Sequence, residues 1–310
     1  MAGKGNSIRA IFFALGANFA IFVAKLVAAL MTGSGAMLAE AVHSLADCGN
    51  QVLLLFGIRQ AKKPPSPDYP LGYGKAVYFW SFLVALMLFS VGGMFSIYEG
   101  LHKLGSDEPL KSPWIAVGVL VFSIIVEGIS MRACLVEVNK ARGARSLWQW
   151  FRSTRQVELV VIFGEDLAAL LGLTFALLAV SVAMATGNPV WDAVGTLAIG
   201  ALLIIVAVFI SIEVKAMLIG QSVEPETRDQ MREFLEQRPE VERVYNLLTM
   251  QLGSDVMVSV KAKMRGEDSA AGMIAQINAV ERELKRRFPE VRFSFFEPDF
   301  EDGNAQDRIA

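Results

Sequence analysis

The sequence predicts an all-α bundle of six transmembrane helices followed by a small α+β domain in ferredoxin-like αββαβ order. Three observations carry that prediction. The 310 residues are 54% hydrophobic with a mean hydropathy of +0.44, and the apolar residues fall in blocks of about twenty, the length that spans a bilayer. Short charged stretches and Gly or Pro turns separate the blocks. After Gly220 the pattern changes to the mixed periodicities of a soluble domain.

The six helices are expected at roughly Ile8 to Met31, Ala36 to Gln60, Val77 to Leu101, Pro113 to Val136, Gln156 to Ala185 and Pro189 to Gly220. Thr32-Gly33-Ser34-Gly35 and Thr186-Gly187-Asn188-Pro189 are connections so short that the helices they join must be antiparallel neighbours. Basic residues set the orientation. Lys4 and Arg9 precede the first helix, Arg59, Lys62, Lys63 and Lys75 link the second and third, and Arg132, Lys140, Arg142, Arg145, Arg152 and Arg155 link the fourth and fifth. The opposite connections carry only Lys103 and Lys111, so both termini are expected to be cytoplasmic. Trp114, Trp148, Trp150 and Phe151 are read as interfacial anchors. The N-terminus runs into its helix without a small-residue cleavage site or an Arg-rich leader, which points to an uncleaved first span in a bacterial cytoplasmic membrane.

Beyond Gly220, Pro225 to Gln237 reads as a helix, and Arg243 to Leu252 and Val256 to Met264 read as strands joined at Gly253-Ser254-Asp255. Ser269 to Phe288 reads as a second amphipathic helix and Val291 to Phe296 as a third strand. The expected domains are therefore a transmembrane domain at 1–220, a cytoplasmic dimerising or regulatory domain at 221–298 and a flexible tail at 299–310. The net charge of −2 averages a locally basic front with a charged C-terminal segment, and no nucleic-acid partner is expected. Cys48 and Cys134 are too few for a disulfide framework and lie in no metal-binding cluster, so both are expected as free thiols.

The chemistry lies in Glu40-Ala41-Val42-His43-Ser44-Leu45-Ala46-Asp47, where a histidine and a carboxylate stand at i and i+4 inside an apolar helix. That spacing aims both at one target. An ionisable group at membrane depth is costly unless it faces a cavity, a partner or an ion. A second acid pair, Glu165-Asp166, lies in the fifth helix. Asp47 is about eleven residues, roughly 17 Å, from the outer end of its helix, and Asp166 about ten residues, roughly 15 Å, from the inner end of its own. Both fall near the midplane of a core about 30 Å thick. His43, Asp47 and Asp166 thus form a donor set that suits Zn²⁺, with Mn²⁺, Co²⁺, Ni²⁺ and Fe²⁺ also compatible. Glu40 shares the face of His43 near the outer end, where Lys25 could pair with it as readily as it could relay a metal. Glu127, Asn18 and Asp192 are polar residues within or near spans that are read first as packing hydrogen-bond partners and second as lining of the cavity.

These residues resemble the cation diffusion facilitator family. The likeness extends to Gly33-Ser34-Gly35-Ala36-Met37 and to Asp68-Tyr69-Pro70-Leu71-Gly72-Tyr73-Gly74 ahead of the third helix. Glu165-Asp166-Leu167-Ala168-Ala169, Gly187-Asn188-Pro189-Val190-Trp191-Asp192 and Ile219-Gly220-Gln221-Ser222-Val223 are most similar to the branch containing the mitochondrial zinc transporter of animals. The resemblance implies six helices, a C-terminal ferredoxin-like domain, a homodimer and a four-ligand site built by the second and fifth helices. Ile162 stands where most members carry a histidine or aspartate, which leaves the fourth ligand open among Glu165, Asn50 and water. Glu165 is rotated about 100° from Asp166 and would need local unwinding or a favourable rotamer to reach the site. Of a second site that relatives carry between helices two and three, only Asp68 remains. The chain's two histidines are His43 and His102, so one principal metal site per protomer is expected.

The reading is a membrane exporter of a divalent cation, Zn²⁺ before the others, exchanged for protons by alternating access at the midplane site. Metal binding needs neutral His43 and ionised Asp47 and Asp166, so cation and proton compete. A metal-gated channel or membrane sensor without proton coupling is the alternative. A membrane hydrolase is set aside, because nothing outside the helices supplies a general base beside an open coordination position, and no enzymatic activity is expected.

Overall fold

Proline and glycine set the helix limits. Pro113 and Pro225 stand in the first turn of their helices, where a missing N–H breaks no intrahelical bond. Gly187 ends a helix in the left-handed region at φ +66°, and Gly33 turns the chain at φ +70°. The computed structural model describes residues 4–105, 110–266 and 269–301, with side chains from Leu15 onward, Ala17 excepted. Two compact units emerge: a helical one of 1–58, 79–150 and 156–215, and a second of 59–78, 151–155 and the chain from 216 onward.

The helical unit is built from α1 (Lys4–Thr32), α2 (Gly35–Ala61), α3 (Ala76–Met87), α4 (Phe95–Leu104), α5 (Pro113–Arg142), α6 (Leu147–Ser153), α7 (Val157–Thr186) and α8 (Val190–Ile219). A π-helical stretch, Leu88–Met94, joins α3 to α4 without a break, so the two make the expected third span. Among the described residues, five spans are long and apolar enough to cross a membrane, and Asn18–Thr32 of α1 is a shorter apolar stretch. The expected fourth, fifth and sixth spans correspond to α5, α7 and α8. Helix α1 starts at Lys4, so Lys4 and Arg9 lie within it rather than before it.

Helix α6 is an addition to the expected elements. The Ser146 amide donates to Gln149 Oε1 at 3.0 Å and the Gln149 amide donates to Ser146 Oγ at 3.2 Å, a capping box that starts the helix. It places Trp150 fully inside the helical unit, edge-on to Phe163 with ring centroids 6.1 Å apart, and not at an exposed interface as expected. Trp114 and Trp148 are exposed, as anchors would be.

Small residues let α4, the π stretch and α8 touch backbone to backbone. A Cβ on Gly200 would lie 2.8 Å from the Ile97 amide nitrogen, and one on Gly93 would lie 3.2 Å from that of Ile204. Apolar helices in lipid associate through such close packing rather than through the hydrophobic effect. The π stretch inserts an extra residue per turn beside α2, and a Cβ on Gly92 would stand 3.9 Å from His43 Nδ1. At the opposite end of the unit from the basic connections, Asp192 of α8 pins the start of α2. Its Oδ1 accepts from Ser34 Oγ at 2.5 Å and its Oδ2 from the Gly35 amide at 2.6 Å, while Ser34 Oγ caps the Met37 amide at 3.1 Å. A carboxylate at a helix N-terminus meets both the open N–H groups and the positive end of the dipole. Lys103 Nζ donates to Gly33 O at 2.6 Å, and the Lys111 amide donates to Thr32 O at 2.9 Å at the same end.

The second unit contains α9 (Pro225–Glu236), β1 (Val241–Leu252), β2 (Asp255–Met264), α10 (Ala270–Arg287) and β3 (Val291–Pro298), the αββαβ order expected. The sheet runs β1-β2-β3, antiparallel between β1 and β2 and parallel between β2 and β3. Alternate residues of β2, from Val256 to Met264, are buried against Met231, Leu235, Val280 and Leu284 of the two helices, as a one-sided sheet requires. Gly253 turns the β1–β2 hairpin at φ +69°, and its amide donates to Tyr78 Oη at 2.8 Å. Gly74 packs so tightly on this turn that a Cβ would overlap Leu252 O. Of the expected tail, 302–310 lies outside the described residues. Asp299 is held by Lys261 Nζ at 2.7 Å and Phe300 O accepts from Tyr245 Oη at 2.6 Å, so the chain is fastened up to that point rather than free from 299 onward.

Gly200→Ala is expected to lower the melting temperature in detergent by several degrees, because the added methyl must force apart α4 and α8 at a cost of about 1–3 kcal/mol. Gly118→Ala, whose Cβ meets nothing within 4 Å, serves as the matched control and is expected to melt at or above the wild-type temperature.

Candidate metal centre

Helix α2 is rich in alanine, so its neighbours approach closely and its few polar side chains are enclosed by them. Ala36, Ala39, Ala41 and Ala46 are all buried, and His43 between them is 1% exposed. His43 Nε2 stands 3.4 Å from Asp47 Oδ2, the i,i+4 relation expected of the pair. Neither ring nitrogen has a hydrogen-bond partner among the described residues, and Asp47 Oδ1 has none.

Asp47 faces a cavity of about 50 Å³ inside the helical unit. Its walls are Asn18 and Ile21 of α1, Ser44, Asp47 and Gln51 of α2, Glu127 and Ser130 of α5, and Glu165, Asp166 and Ala169 of α7. That volume exceeds the ~10–15 Å³ that one water needs. The expected acids of the second and fifth helices therefore do meet at one place. Glu165 reaches the cavity from an unbroken α7, so its angular offset from Asp166 is absorbed by side-chain length and no unwinding is needed. Glu165 Oε1 accepts from Asn50 Nδ2 at 2.5 Å, and Asp166 Oδ2 accepts from Ser130 Oγ at 3.3 Å. In this arrangement no three His, Cys, Asp or Glu side chains among the described residues converge closely enough to hold one ion. The groups surround a common space without closing on its centre.

Glu40 lies elsewhere. Lys25 Nζ is 3.1 Å from Glu40 Oε2 and donates to Ser44 Oγ at 2.8 Å, with Lys25 and Glu40 both fully buried. Of the two readings open for Glu40, the ion pair is the one present. Asp192 makes the packing bonds expected of it, whereas Glu127 and Asn18 line the cavity. Asp68 sits exposed in the connection between α2 and α3, within the second unit, and is no part of the cavity wall. Ile162, at 40% exposure, turns away from the interior. Sequence reasoning ranked cavity lining second for Glu127, and it missed Ser130, Gln51 and the link from Lys25 to Ser44. For Glu127 a signal existed: it occupies a step in the seam Leu120, Ser123, Met131, Cys134 that α5 buries.

A polytopic bundle that gathers four carboxylates around a small cavity, with a histidine beside one of them, followed by an αββαβ domain, defines an integral membrane protein of the cation-transporting class. Residues 11–219 match the cation efflux transmembrane domain and residues 223–294 the cytoplasmic domain of cation efflux proteins, and the chain belongs to that family. It is 30% identical over 332 aligned positions to the proton-coupled zinc antiporter SLC30A9, mitochondrial, of Xenopus laevis, covering 94% of this chain and 59% of that protein. It is 29% identical to metal tolerance protein C4 of Arabidopsis thaliana, covering 80% of this chain and 55% of that one. The cation-efflux pump FieF of Escherichia coli is 26% identical, with 87% and 85% covered. The chain thus spans little more than half the length of the first two relatives.

Lys25→Met is expected to destabilise the protein by about 3–5 kcal/mol, because Glu40 is left buried and unpaired, and Lys25→Met/Glu40→Gln is expected to recover most of the loss. Thermal unfolding of the two variants in one detergent checks both statements.

Proposed function

We propose that the chain exports a divalent cation, Zn²⁺ foremost, in exchange for protons. The observation that supports this most directly is the convergence of Asp47 from α2 with Glu165 and Asp166 from α7 on one intramembrane cavity, with His43 backing Asp47. His43, Asp47 and Asp166 are the ligands in this reading. Glu165 stands beside them, with Asn50 fixing one of its oxygens. Imidazole nitrogen and carboxylate oxygen suit Zn²⁺, and Mn²⁺, Co²⁺, Ni²⁺ and Fe²⁺ accept the same donors. Each ligand binds metal only when deprotonated, so a cation that arrives displaces protons and one that leaves readmits them. The names of the SLC30A9 relatives, proton-coupled zinc antiporters, support the same ion and coupling.

Alternating access needs a barrier that can part. Along α2 the cavity wall runs from Ser44 toward Gln51, and the Lys25–Glu40 pair lies one turn beyond Ser44, toward the end that Asp192 pins. That pair closes the outer side while the cavity faces inward, and rocking of the helices would open the other route. The protein works as a transporter and not as an enzyme. The basic residues of the connections between α2 and α3 and between α5 and α7 support a cytoplasmic side for those connections and for both termini. We place it in a bacterial cytoplasmic membrane, in keeping with its likeness to the Escherichia coli pump. Its match to the family's cytoplasmic domain and the exposed Leu248 and Phe295 on its strands support a homodimer joined through that domain.

Proteoliposomes loaded with a pH dye provide the test. An imposed Zn²⁺ gradient is expected to drive proton movement in the opposite direction, and Asp47→Ala or His43→Ala to remove it. Raising the external proton concentration should weaken apparent Zn²⁺ affinity, since protons and metal share the ligands. Metal entry that moves no protons would replace antiport with uncoupled conduction.

A further inference from the structure

Four carboxylates face the cavity, and the reading above uses three. The fourth is Glu127. Helix α5 turns one seam toward the bundle interior, in which Ala116, Leu120, Ser123, Met131, Cys134 and Val138 are buried. Glu127 fills the step between Ser123 and Met131, where helical periodicity calls for an apolar residue. Ser130, one turn further on, donates to Asp166 Oδ2 at 3.3 Å, which fixes this face of α5 toward the acids of α7.

The Glu127 carboxylate lines the cavity and makes no hydrogen bond or ion pair among the described residues. An acid left unpaired at membrane depth is costly unless it serves an ion. Two neighbours make the same demand: His43, 1% exposed with both nitrogens unpartnered, and Asp47 with Oδ1 free, 3.4 Å from it through the other oxygen. Glu165 is less available, because Asn50 already holds its Oε1. Ile162, a turn before Asp166, offers no donor and faces outward.

We propose that Glu127 is a ligand of the transported divalent cation, supplying from α5 the donor that α7 lacks at Ile162. This deepens the exporter reading and rests on it. The resulting set is one imidazole nitrogen and three carboxylate oxygens, from α2, α5 and α7. Three oxygens among four donors make the site harder than a histidine-rich one and more permissive of Mn²⁺.

The test is Zn²⁺ and Mn²⁺ binding to the purified full chain in detergent, by competition with a fluorescent chelator, with thermal unfolding of the same samples. Glu127→Gln keeps the shape and removes the charge. It is expected to weaken Zn²⁺ by about tenfold or more, equivalent to about 1.4 kcal/mol, and Mn²⁺ by a larger factor. Without metal it should melt at or above the wild-type temperature, because an unpaired acid is gone, and it should lose most of the rise in melting temperature that Zn²⁺ gives the wild type. X-ray absorption of the Zn²⁺-loaded protein should show one oxygen donor fewer. A role confined to packing would lower the metal-free melting temperature and leave metal affinity and coordination alone, and that result would overturn the proposal. Glu137→Gln, at an exposed pair with Lys140, is the control and should bind as wild type. If Asp47→Ala abolishes binding while Glu127→Gln binds as wild type, the exporter site stands and Glu127 is no ligand. Wild-type binding by Asp47→Ala would overturn the site and this proposal together.

Discussion

Everything in the helical unit depends on the cost of holding charge away from water. Apolar helices in lipid have no hydrophobic reason to associate, so their polar side chains decide how they are arranged. Three solutions coexist here. Asp192 is satisfied by a hydroxyl and by the open amides at the start of α2, which locks α2 to α8 at one end. Glu40 is neutralised by Lys25, which joins α1 to α2. Asp47, Glu127, Glu165 and Asp166 are left around a cavity, and among the described residues only the last two have hydrogen-bond donors. The first two arrangements hold the scaffold, and the third is the candidate site.

Close contact between helices gives that site its rigidity. Gly93 and Gly200 bring backbones together where any side chain would separate them, and the π stretch between α3 and α4 puts Gly92 against His43. His43 is thereby held by packing and has no hydrogen bond among the described residues, which leaves both ring nitrogens free for other work. A hydrogen-bonded imidazole would be fixed just as firmly but would have to break that bond before it could ligate.

Much of this was legible in the sequence. Span lengths, short turns and the His43–Asp47 spacing depend on local periodicity, which is visible in one dimension, and the αββαβ order follows from strand and helix patterns of ordinary clarity. What escaped notice depends on which helix stands opposite. Trp150 has the composition of an interfacial anchor, and only the capping box of Ser146 and Gln149, overlooked inside a basic loop, explains why it is turned into the bundle. For Glu127 a packing bond ranked above a place on the cavity because its partner was unknown, and the structure gives it the cavity in place of a partner. For Glu165 the sequence left unwinding and a favourable rotamer both open, because a helical wheel describes the direction of Cβ and not how far a glutamate can bend, and the structure takes the second.

The unpaired acids have a consequence for how such a bundle can cycle. Carboxylates that share one small chamber repel one another, and that repulsion grows as the chamber is cut off from water on both sides. In the exchange cycle proposed above, a doubly occluded, vacant chamber would be the least stable state on the route, so a carrier of that kind would have no inexpensive empty return stroke. It would cross loaded in both directions, with metal one way and something else positive the other. Tight exchange would then follow from electrostatics and would not require a separate latch to prevent slippage.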